Sequence, residues 1–244
     1  MTGHDLPEWL RPLAELAGSV EAEQLAPTFP HPPDNARPAA VLMLFADGEN
    51  GPELLLTERA STLRNHAGQI SFPGGASDPG DVDAVATALR EAAEEVGLDP
   101  STVEVFGQLP PLWVPPSNFA VTPVLAYWRQ PQQLHPVDTA EVGAIIHHPI
   151  RHLMDPSNRF SVTHPSGWRG PGFDVGSGVP LWGFTGGIII RTAGARVEIT
   201  PDTMIVRFLK TARIRLAEIQ RLGVLQVPVG GARVSNAYAT ETAL

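Results

Sequence analysis

Apolar residues return at helical spacing at Val85, Ala88, Leu89, Ala92 and Val96, a pattern that predicts an amphipathic helix with one buried stripe. The turn residues Asp78, Pro79, Gly80 and Asp81 precede it and supply its cap, and Gly97 stops it. A shorter stripe at Trp9, Leu10, Leu13 and Leu16 predicts a helix within Leu6 to Leu16. Continuous apolar runs read instead as buried strands: Ala39 to Phe45, Glu53 to Thr57 after a turn over Asp47 to Pro52, Val103 to Leu109, Val121 to Trp128 and Val142 to Ile146. Ile70 to Phe72 and Phe160 to Thr163 are shorter strand candidates. Pro27 to Pro38 reads as an extended linker, Pro110 to Asn118 as a proline-rich loop and Gly167 to Gly178 as a glycine-rich one. Gly187 to Thr200 looks strand-like, Pro201 begins a helix to Leu222 with a stripe at Ile205, Leu209, Ala212, Leu216 and Ile219, and Gly230 to Leu244, with little periodicity, reads as a disordered tail.

The helix before Gly97 ends in Arg-Glu-x-x-Glu-Glu-x-Gly. Glu91 and Glu95 lie one turn apart on one side, with Glu94 on the adjoining ridge. Like charges at this spacing repel by a few tenths of a kcal/mol per pair, and a divalent cation removes that cost. Carboxylate oxygens without Cys or His suit Mg²⁺ or Mn²⁺, ions that share substrate phosphates. A solvated acidic face is the plainer reading of the same residues. Gly74 and Gly75, just upstream, allow close backbone approach to a ligand.

Composition narrows the classes. A formal net charge of −9 over 244 residues argues against a nucleic-acid binder working through a global positive field. The absence of cysteine removes thiol nucleophiles, zinc–thiolate sites and disulfides, and is compatible with a reducing compartment. No stretch approaches the ~20 apolar residues of a membrane span, and the acidic N-terminal residues Asp5, Glu8 and Glu15 do not resemble a signal peptide. A cytoplasmic protein without membrane or nucleic-acid partners is expected.

The segment around the three glutamates resembles the Nudix box, G-x5-E-x7-R-E-U-x-E-E-x-G-U, with U a bulky apolar residue. Two departures mark it: fourteen residues separate Gly75 from Arg90 where the pattern has thirteen, and the position of the first Glu falls on Val82, between Asp81 and Asp83. Upstream, Leu55 to Gly75 (LLTERASTLRNHAGQISFPGG) fills every fixed position of L-L-T-x-R-[SA]-x3-R-x3-G-x3-F-P-G-G, the signature of the coenzyme A diphosphatase branch, which also tends to carry the shifted box. VTPVLAYW and LWGFTGG resemble further segments of that family, so the likeness covers roughly Ala39 to Gly187.

The resemblance implies an α/β Nudix fold, a mixed sheet sandwiched between helices. A helix and linker (1–38) would precede it, and a C-terminal extension (188–244) would follow. It implies a hydrolase of the diphosphate in coenzyme A or acyl-coenzyme A, with Mg²⁺ or Mn²⁺ held by Glu91, Glu94 and Glu95. Arg90 would hold the helix carboxylates in place, and Glu94 or Glu141 would serve as base. Arg59, Arg64 and His66 are candidates to meet substrate phosphates, Gly74 and Gly75 to line the site, and Trp113 and Phe119 to stack on an adenine. For the arginines a solvated loop paired with Glu53 or Glu58 is the alternative, for the aromatics cover of a core edge. A broader nucleoside-diphosphate hydrolase (NADH, ADP-ribose) and a catalytically silent nucleotide sensor remain competing readings. His147, His148 and His152 lack the glutamate of H-E-x-x-H, so zinc is not favoured there. The stripe within 201–222 packs on its own domain or forms a homodimer seam.

Overall fold

The computed structural model describes residues 6–22, 31–62, 68–155, 158–163, 169–191, 228–229 and 232–235. Strand β1 (Arg37–Gly48) lies at the centre of the main sheet. It runs parallel to β7 (Phe119–Trp128) and antiparallel to β2 (Gly51–Arg59), so the sheet is mixed. The backbone path continues β3 (Ile70–Ser71), β2, β1, β7, β5 (Val103–Gln108). Three further strands attach to it: β4 (Gly74–Ala76) to β1, β6 (Leu112–Val114) to β7 and β8 (Val142–Pro149) to β2.

The apolar run of β1 is unbroken because both of its faces are covered. Ala40, Leu42, Leu44 and Ala46 meet Ala88, Ala92 and Val96 of helix α2 (Ala84–Val96), together with Val124, Ala126 and Trp128 of β7. Met43 and Phe45 point the other way. There they join Leu10, Leu13 and Leu16 from the N-terminal helical segment, a 3₁₀ turn (Glu8–Leu10) running into α1 (Arg11–Ala17). Ile150 and Leu153 of α3 (Ile150–Met154) and Ile188 and Ile189 of α4 (Gly183–Arg191) complete that face. The expected sandwich is therefore present, with α2 the one helix on its side among the described residues. A smaller antiparallel sheet is ordered β10 (Arg169–Phe173), β9 (Arg159–Thr163), β12 (Ala232–Ser235), β11 (Pro228–Val229).

Several local expectations are corrected. Gly183–Arg191 is helical, so the first residues of the 187–200 run that reads as a strand are helix, and 192–200 lie outside the described residues. A β-branched apolar run looks the same in sequence whether it becomes a buried helix or a buried strand, and here Ile188 and Ile189 are buried within the helix. Part of the predicted glycine-rich loop is β10, paired antiparallel with β9 through backbone that shows no alternating pattern. Leu112–Val114, inside the proline-rich segment, pairs with Val121, Ala120 and Phe119. Gly74 and Gly75 belong to a strand rather than an open loop, and β1 begins at Arg37, inside the expected linker. The predicted helix at 201–222 and its proposed dimer seam lie outside the described residues, and of the tail expected to be disordered over 230–244, Ala232–Ser235 instead form β12 while the rest lies outside them.

Candidate active site

Helix α2 starts two residues later than the sequence suggests. Asp83, not Asp81, is its N-cap, its carboxylate accepting the Ala86 N–H at 2.8 Å. Gly97 ends the helix with φ of 70°, a left-handed cap that a residue with a Cβ would strain. Between these caps the apolar stripe faces the sheet, and Arg90, Glu91, Glu94 and Glu95 gather along the border with β4.

Glu95 is buried, at 8 % exposure, and its Oε2 accepts the Gly74 N–H at 3.1 Å. Burial pushes its carboxyl up to about 7, against the Gly74 bond, and the charges of Glu141 and Glu91 push the same way. Glu91 is also raised by burial, opposed by Arg90 and reinforced by Glu94 and Glu141. β4 runs so close to Glu91 that a Cβ on Gly75 would lie 2.6 Å from its carboxylate, so the glycine leaves room for this side chain.

Arg90 is the organiser. Its Nε donates to Asp81 Oδ1 at 3.1 Å and its Nη2 to Asp81 Oδ2 at 3.0 Å, a two-point fork on one carboxylate. Nη2 also donates to the Ala76 carbonyl of β4 at 3.0 Å. Nη1 meets Glu94 Oε2 at 2.9 Å and Glu91 Oε1 at 3.1 Å. Arg90 beside it holds the Asp81 carboxyl far below the usual carboxylate range. Asp81 Oδ2 further accepts the Asp78 N–H and the hydroxyl of buried Thr87, each at 2.9 Å.

Sequence reasoning missed Asp81, Asp83 and Thr87 as supports. The one-residue shift of the box was the available signal. It leaves Val82 89 % exposed on the Glu position, while the flanking acids take the two tasks of orienting Arg90 and capping α2.

Glu141 precedes β8 across from Arg59, whose Nη2 lies 3.5 Å from its carboxylate. The Arg59 Nε is buried with no hydrogen-bond partner. Glu141 is thus on the same side as Glu91 and Glu95, close enough for its charge to raise both. Arg64 and His66 lie outside the described residues.

The two aromatic candidates separate. Trp113 pairs with Ala120 and Val114 with Phe119, so the pleat sends Trp113 and Phe119 to opposite faces of their hairpin. Trp113 Nε1 donates to Asn118 at 3.1 Å, and the Arg37 guanidinium covers the Phe119 ring at 4.1 Å. They do not form one stacking slot.

Among the described residues no three acids or histidines sit close enough to form a ready-made cation cage. Arg90 draws Glu91 and Glu94 together with its own guanidinium, and Gly74 holds Glu95, so the three helix carboxylates do not converge as their spacing suggests. The donor chemistry nevertheless fits a hard divalent ion. All candidate ligands are carboxylate oxygens, and burial disfavours the anions of both Glu91 and Glu95, reinforced at Glu91 by Glu94 and Glu141 and at Glu95 by Glu141 and Glu91. Among the histidines, His147 Nδ1 meets Glu53 Oε1 at 2.8 Å, and His148 and His152 bond each other at 3.1 Å. Both arrangements are remote from the carboxylates in the sheet.

Comparison with known proteins agrees with this geometry. The profile of the NUDIX domain matches residues 36–159. The chain is 35% identical over 204 residues to "Nudix hydrolase 15, mitochondrial" of Arabidopsis thaliana, covering 77% of this chain and 70% of that protein. It is 40% identical over 165 residues to an uncharacterized Nudix hydrolase NudL of Enterobacter, covering 65% and 82%. With the NudL of Shigella flexneri it shares 38% identity over 183 residues, covering 72% and 91%. Among the described residues no helix is long and apolar enough to cross a membrane. With the box carried on a helix against a mixed sheet, as the family requires, the chain belongs to the Nudix family and is a hydrolase of phosphoric anhydride bonds.

Proposed function

We propose that the enzyme hydrolyses the diphosphate of coenzyme A or an acyl-coenzyme A, giving 4′-phosphopantetheine or its acyl form and adenosine 3′,5′-bisphosphate. The observation that carries the reading is the run Leu55 to Gly75. Its fixed residues match the coenzyme A diphosphatase signature, and its two ends meet the carboxylates: Arg59 at Glu141 and Gly74 at Glu95.

Glu91 and Glu95, with Glu94 assisting, would hold Mg²⁺ or Mn²⁺. Such an ion, when bound, neutralises diphosphate charge and acidifies water. The remaining work falls to the chain. Arg90, fixed by Asp81 and the Ala76 carbonyl, holds Glu91 and Glu94 on the site side of α2. The Gly74 N–H fixes the Glu95 carboxylate. Arg59 supports Glu141 through its Nη2. Either Glu141 or Glu94 takes the proton of the attacking water as the P–O bond to the leaving phosphate breaks.

Mass spectrometry of products after incubation with coenzyme A and Mg²⁺ or Mn²⁺, beside a Glu95→Gln control, tests this. Both halves of coenzyme A are expected, and both vanish in the control. Cleavage of NADH or ADP-ribose alone would replace the substrate assignment and keep the chemistry. Inertness to all three would favour a nucleotide sensor.

A further inference from the structure

The last carbonyls of a helix have no partners within it. In α2 three consecutive ones are taken by a single passing segment. Val137 N donates to Glu95 O at 3.1 Å, His135 N to Val96 O at 3.3 Å and Gln132 Nε2 to Gly97 O at 3.0 Å. The segment therefore grips the turn that carries Glu95, and the residue after Val137 is Asp138.

Asp138 then builds the turn that ends at Glu141. Its Oδ1 accepts the Ala140 N–H at 2.8 Å, and its carbonyl accepts the N–H groups of Glu141 at 3.0 Å and Val142 at 2.9 Å. On its other side the Glu141 carbonyl accepts the Ala60 N–H at 2.8 Å, next to Arg59. Glu141 is thus fixed through its own N–H and C=O, one end referred to Glu95 and the other to Arg59.

We propose that Asp138 is a positioning residue that sets the distance of the Glu141 carboxylate from Glu95, an inference that rests on the reading of Glu141 as part of the reaction machinery. The side chain of Asp138 contacts neither carboxylate. It acts by closing the turn, and without its Oδ1 the Ala140 N–H turns to water and residues 138–141 loosen without unfolding the sheet. An ångström of displacement at a reacting group is enough to slow a reaction by up to about a hundredfold.

The test uses the full-length chain with Mg²⁺ and whichever of coenzyme A, NADH and ADP-ribose it cleaves. Four variants are compared: Asp138→Ala, Asp138→Asn, Glu141→Gln and the double Asp138→Ala/Glu141→Gln. Asp138→Ala is expected to lower kcat by about tenfold with KM within about twofold, because the loss is in alignment rather than in binding. Asparagine offers the same Oδ1 acceptor, so Asp138→Asn returns close to the parent rate. In the Glu141→Gln background Asp138→Ala adds no further loss. Hydrogen exchange gives an activity-independent readout: the Glu141 and Val142 amides lose protection in Asp138→Ala and regain it in Asp138→Asn. Losses that multiply in the double variant, or a full rate and unchanged exchange in Asp138→Ala beside a slow Glu141→Gln, would overturn the proposal. A Glu141→Gln enzyme at the parent rate removes the role of Glu141 itself, and the proposal with it.

Discussion

Two buried ionisable groups lie on opposite faces of the main sheet, and their surroundings differ. Glu95, on the α2 side, is pushed up to about 7 by burial, and its near charges include two further acids, Glu141 and Glu91. His148, on the face that packs α1, is pushed down to about 4 by burial and by His152. The histidine has a neutral solution, because one imidazole nitrogen donates and the other accepts across the 3.1 Å contact with His152. Glu95 has only a partial one: the Gly74 N–H and the charge of Arg59 favour its anion, but burial and the two acids outweigh them. Burial is therefore structural at His148, whereas at Glu95 it stores a demand for an external cation, the usual mark of a functional group.

The largest way to break this contrast is Glu95→Gln. Turnover should fall by about 10²- to 10³-fold, the scale for losing one electrostatic element of a phosphoryl-transfer site. Yet the metal-free protein should melt no lower at pH 8 than the parent, because the substitution removes a buried charge. Mg²⁺ should raise the melting temperature of the parent and of His148→Gln, but not of Glu95→Gln. Thermal melts with and without chelator, beside steady-state rates, check all three.

Asp81 comes next. Asp81→Ala removes the two-point anchor of Arg90, which then swings onto Glu91 and Glu94 and competes for their oxygens. Activity should drop by about tenfold or more on the positioning argument, while Val82→Ala, at the exposed box position beside it, leaves the rate unchanged. Equal effects at 81 and 82 would sink the assignment of the supporting role to Asp81.

These two positions also show what the sequence could and could not reveal. The α2 stripe and the Glu91–Glu94–Glu95 edge were legible because a helix has one period, and Val85 to Val96 keep it. The central strands were legible because a doubly covered strand is apolar throughout. Asp81 was not legible, because an insertion in the box moves the supporting acid off its register without naming the replacement. β6 and β10 were hidden by proline and glycine, whose backbones pair without an alternating pattern. Trp113 and Phe119 looked alike in composition, and only the pleat of β6 against β7 separates them. Asp138 has no motif at all, since its proposed role lies in one bond from the Ala140 N–H to its side chain and two from its own carbonyl to Glu141 and Val142.

Gly75→Ala should give a smaller effect of the same kind. The new methyl would press on the end of the Glu91 side chain, which can turn away without moving backbone. Stability should change by less than about 1 kcal/mol, the size of a surface substitution or an ordinary glycine replacement. The rate should still fall by up to about tenfold, as Glu91 leaves its place. A loss of folding comparable to the loss of rate would mean that β4 itself, and not the carboxylate, is what Gly75 protects.

The smallest effect is the sharpest on the contrast between the two faces, because it has two signs. In chelator, folded Glu95 holds a proton up to about 7, while the unfolded carboxyl releases it near 4.5, so raising the pH through that window costs stability. His148 runs the other way. Unfolded, it takes up a proton near 6.5, while folded it resists to about 4, so lowering the pH through that window costs stability. Between pH 4.5 and 6.5 the slopes oppose, and the parent melting temperature should be nearly flat with respect to these two groups. Glu95→Gln leaves the histidine alone, and its melting temperature should rise with pH across this range. His148→Gln leaves the carboxylate alone, and its melting temperature should fall. Melts of both variants at several pH values check the pair. Slopes of the same sign would show that the two faces do not bury their charges in opposite senses, and the distinction between a satisfied and an unsatisfied buried group would be lost.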